Sequence, residues 1–157
     1  MSPFYGSGDA APDARRILGA LARHQVAYLL IGGFAVNAHG YPRLARDIDV
    51  LAKPGQDNYA RLAEALASLE SDDALAPATW RSRGATEFRT RHGVLRLHRS
   101  VAGPRAGYDE LERRALDVTL DELEIKVIGY DDLIRTKRAT ARPHDLADIS
   151  ALEDARR

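Results

Sequence analysis

Two aspartates one residue apart, Asp47 and Asp49, are the residues in this chain best placed to do chemistry. Side chains of an extended strand point the same way at every second position, so both carboxylates can grip one cation from one side. Magnesium takes hard oxygen ligands, commonly one or two carboxylates completed by phosphate oxygens. Upstream, Gly32-Gly33 follows an apolar run, Val26 to Ile31, and opens a helix-like stretch. Without Cβ atoms the backbone can approach a phosphate closely, and the start of a helix favours an anion. Each feature alone has a plainer meaning: alternating aspartates are ordinarily the wet face of a strand, and Gly-Gly is ordinarily a turn. Ile48, Val50 and Leu51 argue for more, because paired carboxylates among apolar neighbours are costly unless a cation or partner compensates. The combination suits a metal-bound nucleoside triphosphate, whose ions can activate an attacking oxygen and stabilise departing pyrophosphate.

The elements that must position these groups follow from hydrophobic periodicity. Asp13 to His24 predicts an amphipathic helix with Ile17, Leu18 and Leu21 on one stripe, and Val26 to Ile31 a buried strand. Phe34 to His39 predicts a short helix ended by Gly40. Arg46 to Ala52 predicts a strand with Asp47, Asp49 and Leu51 on one face and Ile48, Val50 and Ala52 on the other. A helix is expected over Asp57 to Leu69, with Tyr59, Leu62, Leu66 and Leu69 inward. Glu70 to Gly84 is poorly patterned, with Trp80 its large anchor. Thr86 to Arg91 and Val94 to Arg99 predict a hairpin turning at His92-Gly93, Leu95 and Leu97 facing the core and Arg96 and His98 the other way. A short helix from Tyr108, a hairpin around Asp121-Glu122, a helix capped by Asp131 or Asp132, and a last helix from Pro143 with Leu146, Ile149 and Leu152 inward complete the order. The class is α+β (mixed α/β), with a loose arm over residues 1–12 and one domain over 13–157.

Composition excludes several alternatives. The 157 residues suffice for one substantial core, and a formal net charge of zero gives no global basic field for nucleic acid. The absence of cysteine excludes disulfides and thiolate metal sites, and no His pair has the helical spacing of a zinc site. No apolar run reaches the roughly 20 residues of a membrane span, and the N-terminus lacks a signal pattern. The expected location is therefore the cytoplasm, with no membrane partner.

The stretch GGFAVNAHGYPRLARDIDVLAKP resembles the DNA polymerase beta-like nucleotidyltransferase superfamily. It is most similar to the small bacterial members related to toxin–antitoxin and abortive-infection systems. The later stretch YDDLIRTKRATARPHDLADISALEDA looks like their C-terminal helices, and the resemblance extends from about Val26 to Leu152. It implies a mixed sheet flanked by helices, and transfer of a nucleoside monophosphate from an NTP to an acceptor hydroxyl on a protein, a tRNA or a small molecule. By the same resemblance Asp47 and Asp49 bind Mg²⁺, and Gly32, Gly33 and Arg43 contact the nucleotide, with Lys137 and Arg142 neutralising phosphate.

Two departures stand out. Ala45 occupies a position where the family often has threonine. Arg96, in Leu95-Arg96-Leu97-His98, occupies the slot of a third catalytic carboxylate, and a guanidinium can neither ligate a cation nor accept a proton. Glu87 on the adjoining strand is the candidate replacement, with His98 as an alternative base. The other outcome is a catalytically degenerate binding module, such as an antitoxin or regulatory partner, with Arg96 paired to Asp47 or Asp49 in place of a metal.

Overall fold

The computed structural model describes residues 11–73, 75 and 84–157. The sheet has six strands in the order β3-β4-β2-β1-β6-β5. Tyr28–Ile31 (β1) and Asp47–Ala52 (β2) run antiparallel at its centre, with Ile31 opposite Asp49. The hairpin of Ala85–Thr90 (β3) and Gly93–His98 (β4) attaches through a parallel β2–β4 pairing, and that of Leu116–Leu120 (β5) and Leu123–Val127 (β6) through a parallel β1–β6 pairing. Antiparallel hairpins joined through parallel pairs make the sheet mixed, as the α+β expectation requires.

Helices cover both faces. Ala14–Arg23 (α1) is capped by Asp13, whose side chain accepts from the Arg16 backbone N–H, and it packs with Gln56–Ser68 (α3). Gly32–Ala38 (α2) packs on β2 and on Tyr130–Thr140 (α5), which pairs with Pro143–Ala155 (α6). Tyr108–Arg113 (α4) links the two hairpins. Ile17, Leu18, Leu21, Leu29, Leu30, Phe34, Ile48, Leu62, Phe88, Leu95 and Leu97 are fully enclosed at the core. Coverage on both sides explains why Leu51 is buried although it shares a face with the aspartates.

Every element expected from periodicity is present, but three side-chain assignments change. Leu146 is 53% exposed rather than inward; the buried positions of the first turns of α6 are Asp145 and Asp148, which serve an ionic cluster instead. Asp132 does not cap α5, whose N-cap is Gly129. It is buried and accepts from Arg114 and Arg135. In α3, Asn58 is more deeply buried than Tyr59, because its amide ties Ala27 and Lys53 across to β1 and β2. Trp80 and the first ten residues of the expected arm lie outside the described residues; Pro12 sits directly against Gly93, and Asp13 donates its N–H to the His92 carbonyl.

Candidate active site

Between the Asp47–Asp49 face of the sheet and the α5–α6 pair lies a cleft of about 900 Å³. It is bounded by Gly32 and Gly33, by Arg43 to Asp47, by Asp49, Arg96 and His98, by the loop Ser100 to Ala102, and by Lys137, Thr140, Arg142 and Asp145. Seven of the expected site residues (Gly32, Gly33, Arg43, Asp47, Asp49, Lys137 and Arg142) therefore meet in one cavity. They come from three separate stretches of chain, residues 32–33, 43–49 and 137–142.

The glycine turn is built for close approach. Gly32 begins α2 with φ +68°, a left-handed conformation that disfavours other residues. A Cβ placed on it would stand 2.5 Å from Asp49 Oδ2 and 2.9 Å from Asp49 Cβ, so the first glycine and the second aspartate occupy one another's only space. A Cβ on Gly33 would meet the Ala45 methyl at 2.9 Å and Arg43 Nη1 at 3.1 Å. Threonine in place of Ala45 would crowd this contact further, which gives that departure a local packing context.

The carboxylates are unequal. Asp47 is half-buried, and burial together with the neighbouring Asp49 charge raises its pKa above the ordinary carboxylate value. Asp49 is buried, and its two oxygens face different ways. His98 Nε2 lies 2.8 Å from Oδ1 and Arg96 Nη1 3.6 Å from it, while Oδ2 is the oxygen beside Gly32. Two adjacent hard-oxygen donors, one resisting ionisation, fit a divalent cation such as Mg²⁺. Among the described residues no group of three or more His, Cys, Asp and Glu side chains is arranged to hold a metal. An ion on these two aspartates would complete its shell with phosphate oxygens and water.

Glu87 takes its place in the row: Asp49 pairs with Arg96 across β2–β4, and Arg96 with Glu87 across β4–β3. Arg96 stands between the two carboxylates, with Nε 3.4 Å from Glu87 Oε1. Glu87 is 61% exposed at its side chain and does not line the cleft. The expected pairing of Arg96 with an aspartate of the pair is present, at 3.6 Å to Asp49.

The opposite wall is an ionic cluster. Arg43 donates Nε and Nη2 to the two oxygens of Asp148 at 2.7 and 2.8 Å, a bidentate pair. Buried Lys137 reaches both Asp145 and Asp148 at 3.0 Å. Asp145, wholly enclosed, also accepts from Thr140 Oγ1 and from the Arg142 backbone N–H and Nε. Burial by itself would raise its pKa. The hydrogen bonds from Arg142, Thr140 and Lys137 outweigh it and hold the group well below the usual carboxylate range. Asp148 is lowered likewise, against its burial, by Arg43 and Lys137. Three cations braced by two buried carboxylates leave one net positive charge beside the glycine turn. Their i, i+3 spacing on α6 was visible in sequence, but nothing there showed that Asp148 reaches Arg43. His39 lies elsewhere: its Nε2 contacts the Ile128 carbonyl at 2.7 Å, and burial lowers its pKa.

No protein-family model matches the sequence, and comparison with curated proteins finds no relative. Comparison of folds is decisive about architecture: the chain has a nucleotidyltransferase-like fold. It is similar to the lincosamide antibiotic adenylyltransferase LnuA, solved with lincomycin bound, at TM-score 0.67 and 17% identity over 94% of this chain and 99% of that one. The antibiotic-resistance factor ANT(2'')-Ia gives 0.60 and 14% identity over 90% and 79%. A Thermotoga maritima protein assigned as a nucleotidyltransferase gives 0.53 and 13% over 89% and 88%. At these identities the likeness establishes the fold, and the chemistry must be argued from the residues. No helix among the described residues is long and apolar enough to cross a membrane.

Proposed function

We propose that this protein is a Mg²⁺-dependent nucleotidyltransferase that moves a nucleoside monophosphate from an NTP to the hydroxyl of a small molecule. The observation that carries this reading is the contact of Gly32 with Asp49: a bare backbone turn and a carboxylate pair share one edge of a cleft of about 900 Å³. Gly32 and Gly33 approach the triphosphate, Asp47 and Asp49 hold the metal, and the Arg43–Lys137–Arg142 cluster opposes the phosphate charge. When bound, Mg²⁺ neutralises the phosphates and polarises the phosphorus undergoing attack. The acceptor oxygen bonds to the α-phosphorus as the bond to the bridging oxygen breaks. Pyrophosphate leaves with that electron pair, and the hydroxyl proton passes to water. Catalysis of this kind rests on positioning and charge.

The likeness to an adenylyltransferase and an antibiotic-resistance factor over nearly the whole chain favours ATP and a small acceptor over a protein or tRNA. The test is thermal stability with ATP, GTP, CTP and UTP, with and without Mg²⁺, beside an Asp47→Asn/Asp49→Asn variant. A nucleotide at 100 times its dissociation constant stabilises by about 2.7 kcal/mol. That moves Tm by roughly 5–10 °C for a domain of this size. A Mg²⁺-dependent shift lost in the variant is the expected result; no shift with any nucleotide refutes the reading. The second reading, a degenerate binding module such as an antitoxin or regulatory partner, is favoured by one observation: His98 and Arg96 both sit on Asp49 Oδ1.

A further inference from the structure

Arg96 is held more loosely than Arg43 and Lys137 across the cleft. Arg43 is locked on Asp148 at 2.7 and 2.8 Å, and Lys137 on Asp145 and Asp148 at 3.0 Å. Arg96 lies 3.6 Å from Asp49 and 3.4 Å from Glu87, longer than tight charge-assisted pairs, and its buried Nε has no hydrogen-bond partner. Two carboxylates therefore keep a guanidinium at the centre of the row without saturating its donors.

Its location matters as much as its looseness. Asp49 Oδ2 faces the glycine turn, where a metal shared with Asp47 and a phosphate would sit; Oδ1 faces His98 and Arg96. A second dication would need Oδ1 and a further carboxylate from β4 or β3, which is the space Arg96 fills. A guanidinium offers only donors, so it cannot serve as a ligand to a cation in that space. Its fork suits phosphate oxygens.

From this geometry we infer that the site works with a single divalent cation, held by Asp47 and Asp49 Oδ2, and that Arg96 supplies the second positive charge directly to the triphosphate. The inference rests on the nucleotidyl-transfer reading and adds to it a fixed metal count and a cause for it.

The experiment counts Mn²⁺ by electron paramagnetic resonance, in the presence of the α,β-methylene analogues of ATP, GTP, CTP and UTP, which bind without reacting. The wild-type chain is expected to bind a single Mn²⁺ with the analogue it accepts, and Arg96→Asp to bind a second. Two ions on the wild type, or no gain in Arg96→Asp, overturn the inference while leaving nucleotide binding intact. No nucleotide-dependent Mn²⁺ with any analogue overturns the underlying reading as well. Arg96→Gln guards against misfolding of the aspartate variant. It keeps the count but loses a charged hydrogen-bonding partner, so analogue affinity should fall about tenfold. Unchanged affinity in Arg96→Gln also overturns the inference.

Discussion

Substituting Gly32 by alanine probes the contact on which the functional reading rests. Two costs combine. Alanine at φ +68° is strained by about 1–3 kcal/mol. Its methyl would stand 2.5 Å from Asp49 Oδ2 and 2.9 Å from Asp49 Cβ. The oxygen could swing aside, but the Cβ is fixed to the backbone of β2, a central strand paired on both sides. Relief must therefore come from separating α2 and β2, an overpacking cost of about 1–3 kcal/mol. The sum, about 2–6 kcal/mol, predicts a fall in Tm of roughly 5–20 °C. Gly55→Ala is the control for nucleotide binding: φ is +137°, and beyond its chain neighbours no atom lies within 4 Å of the added methyl, so it carries backbone strain of its own without touching the cleft. Calorimetry gives both Tm values, and each variant is then titrated with nucleotide and Mg²⁺. Gly32→Ala should lose the nucleotide shift, because Asp49 and the turn can no longer keep their spacing; Gly55→Ala should retain it. The reasoning fails if Gly32→Ala retains the full nucleotide shift, or if it leaves Tm unchanged.

Two further perturbations separate stability from function. Asp47→Asn should stabilise the metal-free protein while abolishing Mg²⁺-dependent nucleotide binding. The folded chain resists ionisation of Asp47, through burial and the Asp49 charge, so the ionised group costs stability above its unfolded pKa near 3.9. The variant's advantage should therefore grow as pH rises past about 4 and vanish below it; a lower Tm at pH 7 without metal would contradict this. Asp145→Ala should destabilise by about 3–5 kcal/mol, since it strands buried Lys137 with half its counter-charge. Because Asp145 and Asp148 titrate below the ordinary carboxylate range, their stabilisation is complete above about pH 4 and is lost as pH falls through their depressed values. Chemical denaturation across pH 2–7 should show the wild type losing stability at the acid end and Asp145→Ala losing less.

What was legible in the sequence was what depends on short-range pattern. The strand carrying Asp47 and Asp49 follows from alternation, and the β3–β4 hairpin from two alternating runs, though it turns at Arg91-His92, one residue before the expected His92-Gly93. The placement of Arg96 opposite Asp49 was suggested only by resemblance, because the parallel β2–β4 pairing that sets it joins segments far apart in the chain. Leu146 misled for a related reason. Periodicity assigns apolar residues to the inward face, but the inward positions here are aspartates answering cations on α5 and the Arg43 loop. Periodicity cannot weigh a buried carboxylate whose partners lie on another element. Glu87 shows the limit in the other direction: its place on the strand beside Arg96 was foreseen, but that alone cannot tell that it pairs with Arg96 itself or that the guanidinium stands between it and the cleft.

The two ionic groups of the cleft divide its labour by how tightly they are held. The Arg43–Asp148–Lys137–Asp145–Arg142 cluster is short and centred on buried Lys137, Asp145 and Asp148, so it fixes α5, α6 and the Arg43 loop around the glycine turn. Removing Lys137 or either aspartate would leave a buried charge short of its partner, which makes these three positions intolerant to substitution. The Asp47–Asp49–Arg96–Glu87 row is long, partly open and unsaturated, and Asp47 is destabilised by its own charge. A fold gains nothing by leaving such a row half satisfied unless something else completes it. A cation bound there would relieve the repulsion between the aspartates, and phosphate oxygens would take up the spare donors of Arg96. The same electrostatic imbalance that weakens the free protein thus favours a ligand carrying both a metal and a polyphosphate, which a lone anion or a lone metal would satisfy only in part.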